Sequence, residues 1–365
     1  MLWLLARWGT AWFGPFRLFG SHLVLIGVGG SMAAAVVWWF LGRDFWRPWV
    51  PRDRGKALVQ GGHLSAGKPT GAGLLLLLLT LPVWMLVLPF NLKVWGVVAC
   101  LMLASLTGYL DDRAEQPWGE WRKGLLDLAI CLACSLILCQ GEPVRVWLPL
   151  IKGEYLWSPW VFMAVSTVVL WFSINATNCS DGVDGLAGSL SLLSLLYLGS
   201  FLYGAVGHSG VARYLLLRHQ PEGAMWALLV FPFLGTLAAY LWYNAEPSAL
   251  LMGDAGSRPL GLLTGVAVMA TGNPFLIVVV APILLVNGGA GLVKLALLRL
   301  FRHLGFETGV ETARGPLRLL HRIRLPLHDH CRRHLGWSNA QVLMRFTLLQ
   351  ALLIPLLLVL LVKLR

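Results

Sequence analysis

Five aspartates stand out in a chain that is otherwise strongly apolar, and they fall into three clusters. Each cluster lies at the end of a long apolar segment. An ionised carboxylate beside hydrocarbon is energetically costly, so carboxylates in such positions usually serve a function. Carboxylate oxygens are hard ligands, and several of them at one membrane surface predict bound Mg²⁺ and a phosphate-bearing substrate. The clusters are Asp111-Asp112, Asp181 with Asp184, and Asp254.

The second cluster has the most specific spacing. Asn175, Asn178, Asp181 and Asp184 recur every third residue, which predicts one face of a helical turn that breaks at Gly182. Amide side chains can hydrogen-bond a sugar or uracil, and carboxylates can accept from ribose or imide donors. A helix cap followed by a glycine turn would explain one aspartate and one glycine, but not four polar residues in register. We therefore predict that this segment binds substrate.

The other two clusters also follow apolar segments. Asp111 and Asp112 can supply one metal-facing oxygen and one base, although a solvated acidic pair at a loop start is the simpler alternative. Asp254 lies in a Gly-Asp-Ala-Gly-Ser run, and Ser257 is expected to cap the next helix. A cap explains Ser257 but not Asp254, so we predict Asp254 as a Mg²⁺ ligand.

A basic segment near the end of the chain carries His328 and His330. Two histidines at this spacing do not share a helix face, but they can line an extended loop. Zinc binding with Cys331 is one alternative, although three ligands within four residues cannot close a tetrahedral site alone. Recognition of an anionic substrate fits the neighbouring arginines better. Binding of lipid headgroups by a basic loop is the simpler alternative.

The run from Gly62 to Lys68 has the glycine and lysine spacing of a nucleotide-binding P-loop. Pro69 stands where the Mg²⁺-binding Ser or Thr is required, and no strand precedes the loop. We reject a P-loop, and predict that Lys68 can contact a diphosphate from the cytoplasmic side.

The composition predicts an all-α integral membrane protein. Of 365 residues, 57% are hydrophobic and 13% are charged, and the mean hydropathy is +0.71, whereas soluble domains carry about 25% charged residues. The net charge of +12 indicates cytoplasmic loops and anionic headgroups rather than a nucleic acid partner. The six cysteines predict neither a disulfide framework nor a zinc site, because most of them lie within apolar segments.

About 20 apolar residues cross a membrane, and the chain contains about ten such segments. Ten crossings place both termini on one side. One face then carries 17 Lys and Arg and the other carries 9, which assigns the first face to the cytoplasm and both termini to the periplasm. All aspartate clusters and the histidine segment share the cytoplasmic face, so we predict an active-site groove that faces the cytoplasm. The predicted spans are 21–41, 70–90, 93–110, 124–140, 159–176, 184–204, 224–243, 258–271, 273–300 and 342–363.

We expect one transmembrane domain over residues 1–365. Residues 1–20 are predicted to form an amphipathic interfacial segment, because tryptophans and phenylalanines alternate there with arginines. Residues 301–341 are predicted to form a cytoplasmic loop rich in histidine and arginine.

Together these motifs resemble the bacterial phospho-N-acetylmuramoyl-pentapeptide transferases, which belong to the polyprenyl-phosphate N-acetylhexosamine-1-phosphate transferase superfamily. The likeness covers nearly the whole chain. The muramoyl branch is indicated by the histidine segment and by Gly336–Ser338 and Arg345-Phe346 after it. The remaining motifs are His63–Gly73, Gly108–Asp112, Asn175–Leu186 and Asn244–Ser257.

The resemblance implies transfer of phospho-N-acetylmuramoyl-pentapeptide from UDP to undecaprenyl phosphate, which releases UMP and gives lipid I for peptidoglycan. It implies Mg²⁺, ten spans, a bacterial inner-membrane location and a groove open to the lipid bilayer. The sequence does not give the oligomeric state, and a homodimer is one assembly to test. By position, Asp254 would bind Mg²⁺ with support from Asp181, and Asp111 and Asp112 would position or deprotonate the lipid phosphate.

The resemblance also implies which residues bind substrate. His328 and His330 would contact the sugar-peptide phosphate end, and Lys68 lies in the first cytoplasmic motif. The uridine-diphosphate end would be held by Asn175, Asn178, Asp181, Gly182 and Asp184.

Several positions depart from the family pattern. Asp329 interrupts a histidine triplet, and Asn287 stands where an acidic residue is expected in the ninth span. Leu251 replaces an aromatic residue, Glu115 replaces a basic one, and Arg332 replaces an acidic one. Lys68 itself stands where a threonine is expected. The metal positions are intact, so we expect any change in substrate recognition rather than in chemistry.

Three alternatives remain open from the sequence. A sibling enzyme would transfer N-acetylglucosamine-1-phosphate to the same lipid, and a catalytically weakened relative would keep the fold. An ion-coupled transporter would need acids near the bilayer midplane and paired repeats, neither of which the sequence indicates. For the transferase, direct attack by the lipid phosphate and a covalent phospho-aspartate route are both compatible with the residues.

Overall fold

The computed structural model describes residues 1–55, 65–149, 151, 153–304 and 323–363. Within these ranges the chain is mainly helical. The helices are α1 (Leu2–Trp8), α2 (His22–Leu41), α3 (Ala72–Val87), α4 (Leu92–Arg113), α5 (Glu120–Cys139), α6 (Pro159–Ser180), α7 (Leu186–Ser200), α8 (Ser209–Tyr214), α9 (Gly223–Asn244), α10 (Asp254–Ala270), α11 (Leu276–Val280), α12 (Pro282–Leu284), α13 (Ala290–His303), α14 (Leu327–His334) and α15 (Asn339–Lys363). Short 3-10 segments cover Gly9–Ala11, Gly14–Gly20 and Asp44–Trp49, and π-helical turns cover Phe201–Val206 and Leu285–Gly289.

The described chain contains helices that are long and apolar enough to cross a membrane, which confirms the prediction of a helical membrane protein. Nine of the ten predicted spans each overlap one described helix, and the exception is 273–300. Two helices that match predicted spans are not among the long apolar helices. α5 begins with several charged residues, and α10 has only 17 residues. The number of ten crossings and the periplasmic location of the termini stay predictions. The seven long apolar helices are His22–Leu41, Leu92–Arg113, Pro159–Ser180, Leu186–Val206, Gly223–Asn244, Pro282–His303 and Asn339–Lys363, with Ala72–Val87 as a shorter one.

The predicted continuous span over 273–300 is wrong. The chain is helical in α11, breaks at Ala281 (φ −133°, ψ 40°) and resumes at Pro282. Proline lacks an N–H and disfavours the helical conformation of the residue before it, which explains the break. A π-helical turn then leads into α13.

A short hairpin departs from a purely helical fold. β1 (Val144–Val146) pairs antiparallel with β2 (Tyr155–Trp157) between α5 and α6. The buried Trp147 side chain follows β1, and its Nε1 donates to the Thr271 carbonyl at 3.0 Å. The hairpin is thereby attached to the C-terminal end of α10.

α10 lies at the centre of the bundle. It packs against α3, α4, α6 and α7, and its side chains from Ala255 to Met269 are buried. Two glycines permit this close approach. A Cβ on Gly108 of α4 would clash with the Asp254 backbone, and a Cβ on Gly73 of α3 would clash with Gly256. The N-terminus of α10 is therefore held directly against α3 and α4.

We predict that Gly108→Ala lowers the thermal stability of the purified protein, because the new methyl group forces α4 and α10 apart. Overpacking of this kind costs about 1–3 kcal/mol. Gly27→Ala in α2 is the matched control, since a Cβ there meets no atom within 4 Å and alanine favours the helix. Thermal unfolding in detergent measures both. Equal midpoints for the two variants would contradict this packing.

Candidate active site

Three carboxylates that are far apart along the chain come together. One oxygen each from Asp111, Asp112 and Asp254 lies within 4.8 Å of the other two. The first two residues end α4, and the third begins α10. Among the described residues this is the carboxylate group compact enough to hold a metal ion. Asp181, which was predicted as a second ligand to Asp254, is not a member of this group.

Asp112 fixes the start of α10. Its Oδ1 accepts from the Asp254 backbone N–H and its Oδ2 from the Ala255 N–H, both at 3.1 Å. An anionic cap satisfies donors that the first helical turn leaves unpaired and complements the helix dipole. Gly253 has φ +64°, and a Cβ there would clash with the Asp112 carboxylate. Only glycine fits both requirements.

The predicted cap by Ser257 is therefore wrong. α10 begins at Asp254, with Gly253 as its N-cap residue. Ser257 lies in the first turn, where its Oγ donates to the Gly253 carbonyl at 3.1 Å and lies 3.2 Å from Asn178 Oδ1. The sequence around Asp254 suggested that Ser257 caps the helix, but the capping side chain is Asp112 of α4.

Lys123 is a site residue that the sequence analysis missed. It lies in the first turn of α5, before the predicted span 124–140. Its Nζ forms ion pairs with Asp111 and, at 3.1 Å, with Asp254. Burial opposes the ammonium charge, but the charges of Asp254 and Asp111 outweigh it and raise the pKa of Lys123 above its ordinary value. Lys123 therefore stays protonated between two carboxylates.

A buried ion pair was also missed. The side chains of Arg258 and Asp127 are 0% and 2% exposed, and Arg258 Nη1 lies 3.6 Å from Asp127 Oδ1. Arg258 Nη2 lies 3.6 Å from Asp254 Oδ2. The available signal was a charged residue inside each of two apolar segments, which is costly unless it is paired.

The asparagine and aspartate motif lies beside the carboxylate group. α6 ends at Ser180 and Asp181 is its C-cap residue, so the predicted break is confirmed but Asp184 lies beyond the helix. Asn178 contacts Ser257 of α10. Asn175 instead donates to the Trp171 carbonyl at 2.8 Å within its own helix.

Lys68 and Asp184 come together from distant segments. Lys68 Nζ lies 3.5 Å from Asp184 Oδ2 and donates to Ser248 Oγ at 2.9 Å. The Ser248 backbone N–H also donates to Asp184, at 3.3 Å. The predicted lysine therefore lies in one polar group with the second aspartate motif.

The histidine segment is helical, not extended as predicted: both histidines lie in α14. Asn287 Oδ1 accepts from the His328 backbone N–H at 2.9 Å and lies 3.1 Å from His328 Nδ1. A Cβ on Gly182 would clash with His328 Nε2. His328 thus lies against the aspartate motif. His330 accepts from the Arg324 N–H at 3.3 Å and its ring lies 4.6 Å from that of His334.

Comparison with known proteins gives concordant results. The family model for glycosyl transferase family 4 matches residues 94–272. Phospho-N-acetylmuramoyl-pentapeptide-transferase from Treponema pallidum (strain Nichols) is 43% identical over 364 residues, covering 97% of this chain and 94% of that protein. The proteins of the same name from Dinoroseobacter shibae and Bartonella quintana (strain Toulouse) are 28% and 24% identical, covering 93% and 79% of this chain and 93% and 78% of those proteins.

The chain belongs to the phospho-N-acetylmuramoyl-pentapeptide transferase family. It is a phosphoglycosyl transferase and a multi-pass bacterial membrane protein. The branch of the superfamily that the last motif indicated is therefore confirmed.

Two of the positions that depart from this family make defined contacts of their own. Asn287 holds His328 in place of the expected acid. Asp329 Oδ2 lies 3.0 Å from Arg324 Nε and 3.4 Å from Arg333 Nε. Both departures therefore have polar partners within or beside α14. Glu115 is exposed, and Leu251 uses its backbone, whose N–H donates to the Pro69 carbonyl at 2.8 Å.

We predict that Arg258→Leu strongly destabilises the protein, because it leaves Asp127 buried without its partner. Breaking a buried pair costs about 3–5 kcal/mol, whereas replacing both partners with apolar residues costs far less. The double variant Asp127→Leu/Arg258→Leu should therefore recover most of the lost thermal stability.

Thermal unfolding in detergent measures this cycle. Arg299→Leu is the control, since its 3.0 Å pair with Glu120 is largely exposed and should contribute little. A double variant as unstable as Arg258→Leu alone would contradict a pairwise role.

Proposed function

We propose that this enzyme transfers phospho-N-acetylmuramoyl-pentapeptide from its UDP carrier to undecaprenyl phosphate, releasing UMP and forming lipid I. The family relationship supports the substrate pair. The convergence of Asp111, Asp112 and Asp254 carries the proposal, because it supplies oxygen ligands and negative charge at one end of the membrane helices. Phosphoryl transfer depends mainly on positioning and on neutralising charge, so such a site suits the reaction.

The carboxylate group fits Mg²⁺. All its donors are hard oxygens, which Mg²⁺ prefers. The Lys123 ammonium lies between two of these carboxylates, so this position already accommodates a cation. Asp254 is the proposed ligand, with Asp111 and Asp112 beside it and Asp181 as a supporting ligand from the end of α6. When bound, Mg²⁺ would neutralise charge on the diphosphate.

The formal charges around this group support the same cofactor. Four carboxylates lie with only two cations, Lys123 and Arg258, so the group holds more acidic than basic side chains, as a cation site requires. The four carboxylates counted here are Asp111, Asp112, Asp127 and Asp254.

The remaining predicted residues are proposed to bind the substrates. Asn178 and Asp181 lie at the end of α6, and Lys68 with Asp184 forms a polar group suited to the uridine-diphosphate end. Asn175 and Gly182 complete this proposed surface. His328 and His330 would contact the phosphate at the sugar-peptide end, on α14.

The proposed orientation follows the distribution of basic residues. Ten crossings in the inner membrane would place both termini in the periplasm and the carboxylate group at the cytoplasmic face, where a UDP-linked substrate is available. The interfacial segment 1–20 and the basic loop 301–341 belong to the same single domain. Part of that loop, 305–322, lies outside the described residues.

We predict that Asp254→Asn lowers the turnover by about 100-fold or more, because it removes a charge from the group that would hold the metal and the transition state. Released UMP is measured with purified protein, Mg²⁺, undecaprenyl phosphate and UDP-N-acetylmuramoyl-pentapeptide. Asp44→Asn is the control, since Asp44 is exposed and pairs with Arg47.

The same assay with UDP-N-acetylglucosamine tests the substrate assignment. UMP release from that sugar alone would favour the sibling activity. Near-normal turnover of Asp254→Asn would remove Asp254 from the metal role.

We favour direct attack of the lipid phosphate on the β-phosphorus. Asp111 accepts from the Trp118 N–H at 2.7 Å and pairs with Lys123. Both oxygens of Asp112 accept backbone N–H groups, and Asp254 pairs with Lys123. Each of these carboxylates is already engaged by a backbone N–H group or an ammonium, which argues against its attack on phosphorus to form a phospho-aspartate.

We therefore predict no labelled protein when the enzyme meets UDP-substrate with a radioactive β-phosphate in the absence of lipid. The readout is radioactivity on a denaturing gel. Addition of undecaprenyl phosphate to the same sample must release UMP, which shows that the preparation is active. A label that is lost on treatment with hydroxylamine would contradict direct attack.

A further inference from the structure

A cavity of about 480 Å³ lies at the end of the bundle opposite the carboxylate group. It forms between the interfacial segment 1–20 and the ends of three helices, at His22 of α2, Val87 of α3 and Leu228 of α9. These helix ends are remote from the active site, because the carboxylates lie at the C-terminal end of α4 and the N-terminal end of α10. Ligand sites commonly have volumes of about 300–1,000 Å³.

The lining combines apolar walls with two basic side chains. Trp3, Phe19 and Leu25 line the cavity together with Arg7 and His22, and none of its described lining residues is acidic. The nearby acid at the start of α9, Glu222, is paired with Lys93 at 3.1 Å. The cavity therefore favours an anion joined to a hydrocarbon chain.

The surroundings place this cavity at a membrane interface. Trp8 and Trp12 are 71% and 92% exposed, and Phe90 after α3 is 91% exposed. Exposed aromatic side chains of this kind lie at the level of lipid headgroups. α1 packs against α3 and the following 3-10 segment, so the wall that carries Arg7 is part of the fold.

We propose that this cavity binds an anionic phospholipid of the surrounding bilayer. Its phosphate contacts Arg7 and His22, and part of an acyl chain lies against Leu25 and Val87. Arginine forms charge-assisted hydrogen bonds with phosphate oxygens. The lipid substrate does not fit this role, because its phosphate must react at the other end of the helices. The bound lipid attaches the interfacial segment to the bundle.

The test measures phospholipid retained by the full-length protein in nanodiscs of phosphatidylglycerol and phosphatidylcholine. After transfer to detergent, native mass spectrometry counts each lipid per protein. Wild type should retain phosphatidylglycerol over phosphatidylcholine. Arg7→Gln should retain about tenfold less phosphatidylglycerol, from the loss of a charge-assisted hydrogen bond. His22→Leu, which removes an N–H donor, should also retain less.

Arg17→Gln is the matched control, because Arg17 belongs to the same segment but does not line the cavity. It should retain as much phosphatidylglycerol as wild type. Ala6→Trp fills the cavity without changing charge and should release the lipid. Added undecaprenyl phosphate should not displace it.

Three results would overturn the proposal: equal retention of the two phospholipids, equal losses in the Arg7 and Arg17 variants, or full retention in Ala6→Trp. Displacement by undecaprenyl phosphate would overturn the assignment to a bilayer lipid. UMP release by Arg7→Gln is measured in parallel, so failure of this proposal is distinct from failure of the transferase assignment.

Discussion

The active site depends on one contact between two helices, in which the Asp112 carboxylate accepts the N–H groups of Asp254 and Ala255. This contact sets where α10 begins, and so where the Asp254 side chain lies. It requires close approach of the backbones, which Gly108 and Gly253 allow. A carboxylate at a helix N-terminus is favourable, so Asp112 of the first acidic cluster also positions the helix that carries Asp254.

Carboxylates that lie close together at the end of membrane helices repel one another. Two cationic side chains inside the bundle reduce this repulsion. Lys123 bridges Asp111 and Asp254, while Arg258 lies between Asp254 and Asp127. Buried charges are tolerated only when they are paired. The group contains more carboxylates than cations, which suits it to the metal ion proposed above.

The side of the site proposed to face the sugar-peptide differs from the family pattern in a coordinated way. Asn287 replaces an acid but still accepts from His328, and Asp329 replaces a histidine but pairs with two arginines of its own segment. Each replacement is compensated by a neighbour. α14 therefore presents its histidines from a short, ordered helix.

Much of the architecture could be predicted because it depends on local sequence. Apolar segments of sufficient length must form helices in a membrane, since every backbone polar group has to be paired within the segment. All the predicted spans except 273–300 accordingly overlap one described helix. The errors were also local in origin: Pro282 interrupts a segment that hydropathy treats as continuous, and two histidines suggested a loop where α14 forms.

The sequence by itself determined the membrane class, the approximate helices and the family, together with the motifs proposed to carry the chemistry. Only the tertiary structure decided which acids share a site, that Asp112 rather than Ser257 caps α10, and that Lys123, Asp127 and Arg258 belong to the same charge network. The physical reason is the separation along the chain between the residues that make contact. A hydropathy pattern reflects residues that are close in sequence, whereas these contacts join residues on different helices. Glycines at 73, 108 and 253 allow the close approach of α3 and α4 to the start of α10.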